Sequence, residues 1–203
     1  MMHQPPHHRF GTGFSLVETL VAVAILLVVI VGPMSIASRA NSSTTFANQQ
    51  IIAYFLAQEG LELAQKGRDD LLLPEFDDDP LPPATNNGWN AFVSTPGAYE
   101  DCIDGNVCGL EINDDAGGSV DVRDCSNPSE CRLYLSNTAG RSRYTYDDGG
   151  GNVATDYTRT IAMTTGVSGA EVLVTATVRW RTGDQITEQS TTATTYLFNV
   201  YGR

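Results

Sequence analysis

The chain has 203 residues, 41% apolar and 18% charged, a composition that supports a packed core and excludes wholesale disorder. That length suits one globular domain on an anchor and is short for two. Twelve Lys and Arg stand against 24 Asp and Glu, a net charge of -12, which argues against nucleic acid bound through a basic face.

Residues Met1 to Gly13 are polar, with Arg9 and three histidines, His3, His7 and His8. An apolar run follows at once, and from Phe14 to Ser38 its only ionisable side chain is Glu18. As helix, those 25 residues reach about 37 Å, enough for about 30 Å of hydrocarbon with some tilt. A carboxylate in such a run is costly in lipid and calls for a partner. Ala37 offers a signal-type cleavage point, but the run is longer than a usual signal core. Gly32-Pro33 predicts a kink or break, since proline removes a donor and crowds the preceding turn.

Residues 41–45, N-S-S-T-T, either extend the helix at some propensity cost or interrupt it. Helical periodicity is clear from Phe46 onward. Ile52, Phe55, Leu56, Glu59 and Leu63 share one stripe, apolar except at Glu59, predicted to lie against a sheet. Glu59 and Glu62 are expected at solvent or at a cap, and Gly67 at the helix end. Asp69 to Pro96 reads as loop, with Trp89 and Phe92 folding back onto the core.

Beyond Ala98 the pattern is β. Cys131 to Leu135, Arg143 to Tyr146, Tyr157 to Thr164 and Glu171 to Trp180 read as strands. Gln189 to Val200 returns after a turn at Thr182 to Gln185, which makes a hairpin.

The four cysteines fall in two C-x5-C pairs, Cys102 with Cys108 and Cys125 with Cys131. The C-x2-C element of zinc sites is absent. Beyond a membrane segment, such cysteines read as two disulfides. Local pairing is the simplest of three connectivities, and its short loops contribute modestly to stability.

Catalytic signatures are sparse. No histidine follows His8, which removes the residue that triads and most general acid-base sites rely on. No G-x-S-x-G occurs, and Gly149-Gly150-Gly151 lacks the G-K-[ST] of a phosphate loop. Calcium candidates are Asp77 to Asp79, Asp101 with Asp104 and Asn106, and Asn113 to Asp115. A further set is Asp147, Asp148, Asn152 and Asp156. None has EF-hand spacing, so solvated turns are the preferred reading and no cofactor is expected.

The run Gly13-Phe14-Ser15-Leu16-Val17-Glu18, continued by Thr19-Leu20-Val21-Ala22-Val23-Ala24-Ile25-Leu26, resembles the type IV pilin superfamily of prepilins and pseudopilins. That resemblance implies cleavage between Gly13 and Phe14 by a prepilin peptidase and methylation of the new Phe14 amine. It makes Glu18 the fifth mature residue, able to meet the amine of a neighbouring subunit. It further implies a leader at 1–13, a transmembrane assembly helix at 14–38, an extracytoplasmic continuation at 39–67 and a globular head at 68–203. The implied fold is α+β, a long N-terminal helix whose second half packs on an antiparallel sheet of about four strands.

Ala57-Gln58-Glu59-Gly60-Leu61-Glu62 also resembles a recurring segment of PilV-like minor pilins. The function implied is that of a minor pilin or pseudopilin in a type IV pilus or type II secretion-like filament. Its expected partners are the peptidase, other subunits, an inner-membrane assembly platform and lipid. The expected location is the inner membrane with the C-terminal domain outside, then a filament at the cell surface. One feature departs from the family. Arg9 is the only Lys or Arg of the leader, so the positive-inside signal is weak. Two other classes compete. A tip adhesin or DNA-uptake pilin would want a basic or aromatic patch, and the acidity argues against DNA. A membrane-anchored extracytoplasmic enzyme lacks a histidine and a nucleophile motif.

Overall fold

The computed structural model describes residues 13–74, 87–113, 117–137, 142–182 and 187–200. Residues 1–12 of the expected leader, Asp77 to Asp79, Asp114, Asp115 and residues 183–185 of the expected turn lie outside the described residues. Contacts divide the chain into two compact units, Met1–Thr45 and Phe46–Arg203.

Helix α1 runs from Leu16 to Leu72 and passes through both units. In the first unit, of the kink or break expected at Gly32-Pro33, the break does not occur, and Pro33 lies inside the helix. Proline deletes one donor there and the following turns continue. The Ser35 hydroxyl donates to Gly32 O at 2.8 Å. The polar stretch also stays helical. Ser42, Thr44 and Thr45 hydroxyls donate to the carbonyls of Ser38, Ala40 and Asn41 at 3.2, 2.9 and 3.1 Å, which satisfies them without leaving the helix.

In the second unit, α1 buries Ala53, Leu56, Ala57, Gly60, Leu63, Ala64 and Gly67. This stripe follows helical spacing but is rotated from the expected one. Phe55 is exposed and Ile52 half-buried. Small residues win the buried face because they let the helix approach the sheet closely. A Cβ at Gly60 would lie 2.6 Å from Ile161 Cδ1 and 3.4 Å from the Ala176 Cβ. Gly67 does not end the helix either. It is buried against Tyr99, and a Cβ there would strike the Tyr99 hydroxyl, so this glycine serves close packing.

A short helix α2, Asn87–Val93, buries Trp89 and Phe92 as expected. Trp89 Nε1 donates to Gly169 O at 2.7 Å, and the Phe92 and Tyr99 rings meet edge-on at 5.0 Å.

The strands are β1 Cys108–Asn113, β2 Ser119–Asp124, β3 Arg132–Ser136, β4 Arg143–Thr145, β5 Val153–Thr165, β6 Glu171–Trp180 and β7 Gln189–Phe198. They form one antiparallel sheet of seven strands rather than four. The α+β layout is as expected, with a long N-terminal helix and a C-terminal antiparallel sheet. The thirteen-residue β5 is its spine. β6 pairs along one side of it. On the other side, β1 pairs near Ile161 and β3 pairs from Val153 to Thr158. Alternation in β6 buries Val172, Val174, Ala176, Val178 and Trp180, which with the α1 stripe form the core.

Candidate functional site

The start of α1 is built by local bonding. Ser15 O accepts the amides of Glu18 at 3.0 Å and Thr19 at 3.2 Å, which closes the first turn. The Thr19 hydroxyl donates to Leu16 O at 2.9 Å. Glu18 therefore sits in the first helical turn, where the amide dipoles favour a negative charge. Gly13, Phe14 and Glu18 are all exposed, and Phe14 is 82% accessible. Among the described residues, Glu18 has no ion-pair partner.

Everything from Phe14 to Ser38 is exposed, including the side chains of Leu20, Ile25, Leu26, Val28 and Ile30. An apolar surface of that length is not stable against water and needs a cover. By length and composition, this helix is sufficient to cross a membrane.

Among the described residues of the second unit, the most buried charge is Arg159 of β5, 1% exposed. Its guanidinium donates to Glu59 Oε2 at 2.7 Å, Tyr146 Oη at 3.0 Å, Leu110 O at 2.9 Å and Leu56 O at 3.3 Å. Burial weighs against its charge, but Tyr146 and Glu59 outweigh that and raise its pKa. Glu59 is exposed to solvent as expected, and it also carries a contact that was not expected. It ties α1 to β5. Nearby, Glu111 of β1 accepts from the Thr145 hydroxyl at 2.8 Å and the Tyr146 amide at 3.1 Å, which joins the β1–β2 and β3–β4 hairpins. This is a structural tie: every donor of Arg159 named above meets protein.

The cysteines pair locally, Cys102 with Cys108 and Cys125 with Cys131, with Cα separations of 4.8 and 5.6 Å. All four are buried. Cys108 starts β1 opposite Asp124, and the Cys125 amide donates to Val107 O at 3.0 Å. Both bridges therefore fasten the same end of the β1–β2 hairpin.

Of the calcium candidates, Asp147 and Asn152 are brought together. Asp147 Oδ1 already accepts the Gly149 amide at 2.9 Å, and the Asn152 amide group donates to Asp147 O at 3.0 Å. This is a closed turn motif. Asp148 is exposed, and Asp156 belongs to β5. No cluster of three His, Cys, Asp or Glu side chains suited to a metal arises among the described residues.

Sequence reasoning did not single out Arg159. Its signal was parity: Tyr157, Arg159, Ile161 and Met163 share the inward face of one strand. An arginine among those residues needs buried partners.

No family model, curated protein or solved structure matches the chain.

Proposed function

We propose that the chain is a structural subunit of a type IV pilus or type II secretion-like filament, a minor pilin or pseudopilin cut between Gly13 and Phe14. The observation that carries this reading is the uncovered apolar helix with one carboxylate, Glu18, in its first turn. Lipid covers such a helix before assembly, and the helices of neighbouring subunits cover it afterwards. The transfer relies on packing, because lipid is already apolar. Cleavage places a positive Phe14 amine where it can meet Glu18 of a neighbour. An unpaired carboxylate in an apolar bundle is strongly disfavoured, so the pair fixes axial register more than it adds stability.

The location implied is the inner membrane, with the disulfide-bearing domain on the oxidising side. The partners implied are a prepilin peptidase, other subunits and an assembly platform. The experiment is Glu18→Ala expressed with the rest of its assembly system. The variant should remain membrane-inserted and be depleted from sheared filaments. Wild-type incorporation would remove the assembly role of Glu18.

A further inference from the structure

The sheet has three lateral ends, and two are guarded. β2 carries Asp121, Arg123 and Asp124 in six residues, and β4 is only three residues long. Charges and short length are the usual protections against edge pairing. β7 has neither. It is ten residues, Q-S-T-T-A-T-T-Y-L-F, with no charge, proline or glycine, and its register with β6 is unbroken.

The direction of its backbone groups follows from one bond. The Asn199 amide donates to Ala170 O at 2.8 Å, which marks those two residues as a hydrogen-bonded pair. Such pairs alternate along an antiparallel ladder. Leu197, Thr195, Ala193, Thr191 and Gln189 therefore turn their backbone groups to β6. Ser190, Thr192, Thr194, Tyr196 and Phe198 turn theirs outward, and no strand among the described residues pairs there. The same five residues carry the exposed side chains of the strand.

We propose that this row is a strand-addition surface for a second copy of the chain, with β7 antiparallel to β7 and Thr194 on the two-fold axis. That register sets Thr192 opposite Tyr196 and Ser190 opposite Phe198 of the second copy. Each bulky ring meets a small hydroxyl side chain, aromatic beside β-branched at one pair, a favourable cross-strand arrangement. Five residue pairs then exchange two backbone bonds each. In a chain of net charge -12, most surfaces repel a second copy, whereas this edge brings no charges together. The two-fold is normal to the sheet, so it reverses the Phe46 to Leu72 segment in the second copy. The pairing therefore joins copies presented from opposite directions, and it does not rest on the filament reading.

The test uses the full chain in detergent micelles, where orientation is free. Thr194→Cys should form a disulfide-linked dimer on mild oxidation, since hydrogen-bonded partners lie about 5.5 Å apart at Cα, within disulfide reach. Thr192→Cys should give no dimer above background, because four residues of offset separate its two copies by about 14 Å. Thr194→Lys sets like charges face to face and should abolish the dimer seen by light scattering while leaving the circular-dichroism spectrum of the folded chain unchanged. Equal crosslinking at both positions, a wild-type chain that stays monomeric, or a dimer untouched by Thr194→Lys would each overturn the proposal.

Discussion

At the scale of single residues, two charges organise this chain, and they were unequally legible. Glu18 stood out because a lone carboxylate in an apolar run has no other neighbour to explain it. Arg159 was obscured because T-R-T-I-A-M reads as an ordinary alternating strand. Only the folded partners, Glu59 on α1 and Tyr146 beyond β4, show where the arginine goes. Removing Glu59 strips a charged hydrogen bond from a guanidinium that is 1% exposed, while Glu59 itself is 46% exposed. Water relieves part of that loss, so Glu59→Ala should cost about 2 kcal/mol. Exposed Glu62 three residues on is the control, and Glu62→Ala should stay within about 0.5 kcal/mol. Denaturant melts of the two variants side by side check both values.

Among elements, α1 and the sheet show why periodicity gave the helix but not its buried face. Apolar size suggested that Phe55 points inward, yet close approach favoured Ala53, Ala57, Gly60, Ala64 and Gly67. Gly67 is the tightest point, pressed on Tyr99. Alanine there gains about 1 kcal/mol in helix propensity but must displace a buried ring, an overpacking cost of about 1–3 kcal/mol. The net effect of Gly67→Ala should be lower thermal stability, and a melting temperature at or above wild type would refute the packing role. Strands β1 and β2 escaped sequence reading because each is only six residues, β1 begins with Cys108-Gly109 and half of β2 is charged, so the alternation in L-E-I-N and V-D-V-R is short.

Within the second unit, two tyrosines give the packing of α1 a pH dependence. Burial, with Asp70 adding to it, pushes Tyr99 up to about 12. Burial, then Tyr144 and Asp156, does the same for Tyr157, whose hydroxyl donates to Gln49 O at 3.3 Å. Both folded values lie above the ordinary value of about 10, so the folded state holds these protons more tightly. Their stabilisation is complete below pH 10 and is lost as pH rises toward 12. Stability measured across that window should fall steeply, and a Tyr99→Phe, Tyr157→Phe double variant should fall less. An equal slope in the double variant would assign the alkaline loss to other groups.

For the molecule as a whole, the two units divide cleanly in character. Among the described residues, one holds an exposed apolar helical segment, and the other is a packed α+β domain with two local disulfides. Six consecutive residues, Gly13 to Glu18, carry most of the proposed functional reading. The central claim of the proposed function is processing at Gly13, which frees the Phe14 amine that the proposal pairs with Glu18 of a neighbouring subunit. The most direct measurement is intact and N-terminal peptide mass spectrometry of the protein from cells with an active prepilin peptidase. The expected result is a chain that begins at an N-methylated Phe14, and an intact Met1 start would contradict it.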